Sequence, residues 1–376
     1  FNTMTNSQLY ESKIIDIFRK NFTSMPNILL GVSTNKGVYN DAGVIELDGE
    51  KVLVITTDMI GKKTHIPDIY TFEQAGKKSI TVNISDLAAM GAKPLGVVMS
   101  VGIPSDFKEE YINELAIGMN KAAKLREMLE RPGVIRLVGA HNALGAKLVE
   151  RAGFEGVWAG SLEISASYAL PDASIVSMSQ YLEAARQMNE AVSIPIISDC
   201  DTGYGNANNV IYMVKMFEAA GIAGVCIEDK KFPKDNSLLE GGRQQLASIE
   251  EFQGKIRAAK DTQKSEDFVV IARVEALIAG WGQEEALKRA HAYVDAGADA
   301  ILIHSKKNTP DEVVEFIKRF KNRRPVVLVP TTYPSITLKD LEELKVKIVI
   351  YANHGLRAAV KAMEDVFARI KEAGCT

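Results

Sequence analysis

From residue 125 onward the chain repeats one unit: a short apolar run, a polar turn, then a stretch with helical period. The runs are IRLVGAH (135–141), GVWAGS (156–161), PIISDCD (195–201), GVCIEDK (224–230), VVIARVEA (269–276), AILIHS (300–305), PVVLVPT (325–331) and IVIYANH (348–354). They are apolar at nearly every position rather than at alternate ones, as strands covered on both faces must be. Between them lie MSQYLEAARQMNEA, NNVIYMVKMFEAAG and GQEEALKRAHAYVDAG, the latter two closed by the glycine that helix C-termini favour. Strands that each precede a helix predict an α/β fold, a (β/α)8 TIM barrel of roughly 250 residues. An open doubly wound sheet is the alternative. Eight strands of similar length, with no Gly-rich nucleotide turn, favour closure.

Residues 1–124 follow a different pattern. Their apolar runs are VIEL, KVLVITTD, SITVNISD and GVVMSVG, with helical stretches at SQLYESKIIDIFRKN and KEEYINELAIGMNKAAK. This predicts a small α+β module ahead of the barrel. No low-complexity linker separates the two. The helix near Lys124 runs on into LREMLERPG, so the boundary is drawn between residues 1–124 and 125–376 as a helix-to-helix junction.

Composition changes this picture little. A chain of 376 residues, 46% hydrophobic and 25% charged, suits a soluble globular protein with a sizeable core. A net charge of −3 gives no reason to expect a nucleic-acid or membrane partner. No long apolar run and no signal-peptide pattern occur, which places the expectation in the cytoplasm. Cys200, Cys226 and Cys375 have no metal-binding spacing, and their odd number argues against a disulfide framework.

In a barrel of this kind chemistry sits at the C-terminal strand ends. Those ends carry His141 and Asn142, Asp199 and Asp201, Glu228 with Asp229 and Lys230, Arg273 and Glu275, His304 and Ser305, Thr331, and Asn353 with His354. Burying polar groups is costly, so a ring of them drawn from most of the strands marks an active site. Asp199 and Asp201, two apart on a strand, are expected to share a side. With Glu228 on the next strand they suit Mg2+, a hard cation that takes oxygen ligands. The plainer alternative is a solvated loop whose aspartates cap the next helix. Arg273 offers a bidentate fork for an anionic substrate, or simply an ion pair with Glu275 or Glu228. His304 is either a donor to substrate or a satisfied core histidine.

These strand ends, with SASYALPDAS, EDKKFPKDNSL and ARVEALIAGWG, resemble the isocitrate lyase/phosphoenolpyruvate mutase superfamily from about Leu125 to Ala373. Within it the chain is most similar to the phosphoenolpyruvate mutases and phosphonopyruvate hydrolases. The resemblance implies that EDKKFPKDNSL (228–238) is a gating loop whose Lys234, Asn236 and Ser237 donate to a phosphoryl group. It implies a Mg2+ network at Asp199, Asp201 and Glu228, and substrate contacts from Arg273 and His304. It also implies a pocket wall at Trp158 and an enolate cradle of the Ser161 and Leu162 backbone N–H groups. Asp172 would lie beside the migrating phosphoryl group; its residue context alone reads as an N-cap ahead of ASIVSMSQYLE. The implied activity is mutase, in phosphonate biosynthesis. Asn236 stands where hydrolases carry threonine, although SASYALPDAS and ILIHSKKNTPDE also look like the hydrolase. WAGSL departs from the Ser-Gly order usual in mutases. No cysteine lies near Lys234, so the lyase activities are not expected. The family commonly adds a C-terminal helical segment that pairs subunits; this chain stops at Thr376, and a homo-oligomer is expected.

YNDAGVIEL, VITTDMIGKKTHIP and NISDLAAMGAKPLGVVMSVGIPS resemble the first half of the thiamine-monophosphate kinase/aminoimidazole ribonucleotide synthetase family, over about residues 8–124. That implies phosphate-binding carboxylates at Asp41, Asp58 and Asp86. The Gly-Gly-Asp motif and second domain of that family are absent, so the expectation is a fusion. Its first module is then expected to serve dimerisation, or nothing, rather than kinase activity.

Overall fold

The computed structural model describes residues 28–29, 42–48, 51–56, 75–76, 78–79 and 121–374. The chain divides into two compact units, Phe1–Met119 and Asn120–Thr376. In the first, β1 (Ile28–Leu29), β2 (Ala42–Asp48) and β3 (Lys51–Thr56) form an antiparallel sheet in the order β1-β2-β3. Val44 lies opposite Val54 and Ile45 opposite Leu53, so the VIEL and KVLVIT runs pair with each other. Residues 80–86 of the SITVNISD run, GVVMSVG and the aspartates at 41, 58 and 86 fall outside the described residues.

The second unit opens with α1 (Lys121–Glu130) and continues as β4 (Ile135–Ala140), α2 (Ala143–Arg151), β5 (Gly156–Ala159), α3 (Ser161–Ser167), α4 (Met178–Ala191), β6 (Ile196–Asp199), α5 (Ala207–Ala219) and β7 (Gly224–Glu228). After it come α6 (Ile249–Thr262), β8 (Val269–Val274), α7 (Gly282–Asp295), β9 (Ala300–Ile303), α8 (Asp311–Phe320), β10 (Val326–Leu328), α9 (Leu338–Glu343), β11 (Ile348–Tyr351) and α10 (His354–Ala373). The eight strands are parallel and pair in chain order, and β11 closes on β4. This is the predicted (β/α)8 barrel.

Strand alternation sorts the apolar residues into two cores. Leu137, Trp158, Ile197, Cys226, Ile271, Leu302, Val327 and Ile350 fill the interior. Their neighbours, among them Val157, Ile196, Val225, Val270, Ile301 and Val349, pack outward against the helices. Both sets leave water on folding, and that apolar burial is the main stabilising term. Leu125 of α1 joins the interior core, while Arg126 bonds the carbonyls of Glu266 and Phe268 just before β8. The helix therefore closes the N-terminal end of the barrel, and the site is left to the opposite end.

The strands stop one to three residues short of their apolar runs. Asp199 is the last residue of β6, whereas Asp201 lies beyond it with φ +49°. The expectation that both share one strand face is therefore corrected: the left-handed turn, not strand alternation, aims Asp201. Gly203 continues that turn at φ +84°, where a Cβ would stand 2.6 Å from Val210 Cγ2, so only glycine fits. At the other end of the unit, α10 has no buried residue, and Val360, Met363, Phe367 and Ile370 expose an apolar stripe at helical spacing. Among the described residues, no helix is long and apolar enough to cross a membrane.

Candidate active site

Residues 229–243 fold over the C-terminal end of the barrel. The segment is pinned at its base by a bridge between Lys230 and Leu246 and by Lys231 N–H donating to the Gln245 carbonyl (2.9 Å). It is also braced internally: Gln244 Nε2 donates to the Asn236 carbonyl (3.0 Å), and the Arg243 N–H donates to Asp235 Oδ2 (2.8 Å). Phe232, Leu238 and Leu239 face solvent, yet Lys234 is only 4% and Ser237 6% exposed. The charged loop therefore turns Lys234 and Ser237 inward, while Lys231 and Arg243 stay exposed.

Lys234 ends among carboxylates. Its Nζ lies 2.7 Å from Asp201 Oδ1, 3.2 Å from Asp172 Oδ1 and 4.0 Å from Glu228 Oε1, and donates to Ser161 Oγ at 3.3 Å. Ser161 in turn donates to Asp199 Oδ2 at 3.0 Å. Burial alone would raise the Asp172 carboxyl. Lys234, a hydrogen bond from Asn236 Nδ2 (2.7 Å) and the more distant Arg273 outweigh it and hold the group below its usual value. Asp201 goes the other way. Burial, with Asp172, Asp199 and Glu228 nearby, pushes it up to about 7 against the pull of Lys234. Side by side, one carboxyl is kept ionised and the other is poised near neutrality.

Across the mouth the polarity inverts. Glu275, fully buried just past β8, accepts from Arg273 Nε (2.6 Å) and Ser237 Oγ (2.5 Å), with Lys230 Nζ at 3.2 Å and His304 Nδ1 at 3.0 Å. Burial would raise its carboxyl, but Arg273, Lys230 and His304 drive it well below the usual range. Arg273 Nη2 also donates to Ser237 Oγ (2.9 Å) and lies 2.9 Å from His304 Nδ1. Burial and the adjacent guanidinium lower the His304 imidazole, so it stays neutral at pH 7. Arg273 thus makes the ion pair foreseen as the plain alternative, to Glu275 and, at 3.4 Å, to Glu228, while still lying at the site.

Of the residues singled out at the strand ends and loop, the structure brings together Asp172, Asp199, Asp201, Glu228, Lys234, Asn236, Ser237, Arg273 and His304. Asp172 does not cap α4; Ser177 does, in a capping box with Gln180. Trp158 is buried within the barrel interior below them, and Ser161 and Leu162 open α3, where the first N–H groups lack intrahelical partners. Other strand-end residues have local tasks. Asn142 Oδ1 caps α2 by accepting from Gly145 N–H (2.8 Å), and His354 is exposed at the start of α10.

Sequence reasoning missed Glu275 as a hub and Glu163 altogether. Glu163 lies beneath the site, where Gly139 and Gly160 leave room for its carboxyl. Burial, with Asp199 and Asp172 close by, raises it to about 8. The Arg273–Val274–Glu275 spacing marks a shared face but cannot show a loop serine arriving from residue 237. No signal short of the fold places Glu163 between two glycines.

Among the described residues no three acidic, histidine or cysteine groups form a ready-made metal cage, because the carboxylates here are drawn around Lys234. Their donor set nevertheless fits a hard cation. Asp201 Oδ2 and both Glu228 oxygens are buried without a hydrogen-bond partner, and Asp201 Oδ1 meets Lys234 as an ion contact without hydrogen-bond alignment. Buried orphan carboxylate oxygens are costly, and Mg2+ favours such ligands.

Comparison with known proteins agrees with this geometry. A family profile described as phosphoenolpyruvate phosphomutase matches residues 125–371, and one described as AIR synthase related protein, N-terminal domain, matches residues 39–141. The second match runs past residue 124 into β4. A phosphonopyruvate hydrolase from Variovorax sp. (strain Pal2) is 56% identical over 257 residues, 68% of this chain and 89% of the relative. The crystal structure of a phosphoenolpyruvate phosphomutase from Streptomyces platensis subsp. rosaceus superposes with TM-score 0.67 at 55% identity, covering 68% of this chain and 89% of that one. That of a phosphonopyruvate hydrolase in complex with oxalate and Mg++ superposes with TM-score 0.65 at 54% identity and the same coverage. With its barrel matched almost end to end, the chain belongs to the phosphoenolpyruvate phosphomutase family of the isocitrate lyase superfamily.

Proposed function

We propose that the chain is a phosphoenolpyruvate mutase, interconverting phosphoenolpyruvate and phosphonopyruvate. The observation that carries this reading is Asp172: a carboxylate kept ionised inside the site by two donors, Lys234 and Asn236, from the loop above it. In this reading the P–C bond of phosphonopyruvate breaks and its electron pair stays on the pyruvate enolate. The phosphoryl group passes by way of Asp172, as transient acceptor or electrostatic guide, to the enolate oxygen. Arg273 and the neutral His304 hold the substrate's anionic end, and Trp158 floors the pocket. The N–H groups of Ser161 and Leu162 meet the enolate oxygen as it gains charge. Lys234 and Asn236 bind phosphoryl oxygens, whereas Ser237, expected to do so too, gives its one hydroxyl hydrogen to Glu275; the loop keeps out the water that would otherwise take the phosphoryl group. Asp199, Asp201 and Glu228 would hold Mg2+, which when bound supplies positive charge to the enolate and phosphoryl oxygens.

A second reading, phosphonopyruvate hydrolase, is favoured by the 56% identity to the Variovorax protein. The discriminating residue is Asn236, whose amide Nδ2 donates to Asp172 Oδ2 at 2.7 Å. The test is 31P NMR of the purified chain with Mg2+ and phosphonopyruvate. A phosphoenolpyruvate resonance supports the mutase. Inorganic phosphate without it supports the hydrolase, and an unchanged spectrum sinks both. The bare stripe on α10 supports a homo-oligomer, which sedimentation would test.

A further inference from the structure

Glu275 has two oxygens, and they serve different parts of the molecule. Oε1 takes the barrel side: Arg273 Nε at 2.6 Å and His304 Nδ1 at 3.0 Å. Oε2 takes the loop side: Ser237 Oγ at 2.5 Å and Lys230 Nζ at 3.2 Å. Ser237 is saturated at this point, because it donates to Glu275 while accepting from Lys230 Nζ (2.6 Å) and Arg273 Nη2 (2.9 Å). The carboxylate is itself clamped from below. Its backbone N–H donates to Asp229 Oδ1 at 2.8 Å, and Asp229 Oδ2 accepts from Arg289 Nη1 (3.0 Å) and Tyr293 Oη (2.7 Å). Asp229 is also where the loop departs from β7. Loop base, loop limb and the two substrate-facing side chains therefore meet on one fixed group.

We propose that Glu275 is a positioning residue that latches the 229–243 loop and orients Arg273 and His304 with the same carboxylate. Closing the loop and arranging the substrate contacts are then one event. A loop that swings away withdraws Ser237 from Arg273 and loosens the placement of Arg273 and His304. Charge-assisted bonds of this kind are the strong ones, and their loss in a buried site is felt by every member of the network. The inference rests on the reading of this site as the one that binds phosphonopyruvate.

Glu275→Gln in the full chain is the test. A carboxamide keeps the size of the group but turns an N–H2 toward one of the two donor pairs, so it cannot serve both. Limited trypsin digestion reads the latch without any turnover: Lys231 is exposed and Lys234 buried, and nicking within 230–243 is expected to rise roughly tenfold. With Mg2+ and phosphonopyruvate, KM is expected to rise and kcat to fall, together by roughly a hundredfold in kcat/KM, with Glu275→Asp recovering part of it. A merely structural role would lower the active fraction, leaving KM unchanged and spreading nicks over the barrel, and that result overturns the proposal. So does wild-type nicking in a folded Glu275→Gln chain. Should that variant fail to fold, Tyr293→Phe, which loosens only the clamp on Asp229, is expected to raise loop nicking roughly threefold; no rise overturns the latch. If wild-type chain leaves phosphonopyruvate untouched, the functional reading falls, while the nicking comparison still decides the latch.

Discussion

The two sides of the barrel mouth are electrostatic opposites. On one side Asp172, Asp199, Asp201 and Glu228 gather about a single ammonium, that of Lys234. On the other, Arg273, Lys230 and the neutral His304 gather about the carboxylate of Glu275, with Arg273 also reaching Glu228 at 3.4 Å. The first side is short of positive charge: buried oxygens of Asp201 and Glu228 lack hydrogen-bond partners, and burial with like charges raises Asp201 to about 7. The second is satisfied, and Glu275 is driven deep into its ionised form. A site built this way calls for a cation on one side and an anion beside it. That is the division a metal ion and a phosphorylated or carboxylated substrate would fill.

The comparison breaks first at Asp172. Asp172→Ala is expected to lower turnover of phosphonopyruvate by about 10²–10⁴-fold, the range for a group acting directly on the reacting centre. Phosphorus NMR rates check it, and near-normal turnover would place the chemistry elsewhere. Next comes Lys234→Met, which removes the one ammonium on the acidic side. Turnover should fall roughly a hundredfold. In the same variant Mg2+ binding, read by calorimetry, should tighten about tenfold because the ammonium in contact with Asp201 no longer competes for that carboxylate. Weaker Mg2+ binding would show that Lys234 organises these carboxylates rather than competing for them.

A third prediction concerns Glu163, beneath the acidic side. Its carboxyl titrates at about 8 in the fold, against the ordinary 4.5. The folded chain therefore holds this proton more tightly than the unfolded chain does. The resulting stabilisation is complete below pH 4.5 and drains away as pH rises through 8. Glu163→Gln should remove that slope and leave the variant more stable than wild type at pH 9, by on the order of 2–5 kcal/mol. Denaturation midpoints across pH 5 to 9 decide it. The smallest effect belongs to Asn142→Ala, which removes only the cap on α2. It should cost about 1 kcal/mol of stability and leave turnover intact, separating a strand-end residue that caps from those that react.

Much of the barrel was legible along the chain. The eight runs are apolar throughout because the strands are covered inside by residues such as Leu137 and Ile271 and outside by helices. The glycines after α5 and α7 lie at φ +82° (Gly221) and +104° (Gly297), as their positions implied. Less legible was the exit of each strand. Nothing local told whether Asp201 continued β6 or left it: Asp199 still lies opposite Cys226, whereas Asp201 has turned to φ +49° and offers its carbonyl to the Glu228 N–H. From its residue context Asp172 read as an N-cap, and only the family resemblance put it in the site, until Ser177 proved to be the cap.

By itself the sequence determined the strand and helix order and the polar ring at the strand ends. These depend on local periodicity and backbone sterics. Which cation meets which carboxylate, and which carboxyl is held neutral or ionised, only the tertiary structure decided. Lys234 reaches Asp172 across 62 positions and Ser237 reaches Glu275 across 38. Charges interact through distance and burial, and neither quantity exists until the barrel closes and the loop folds over it.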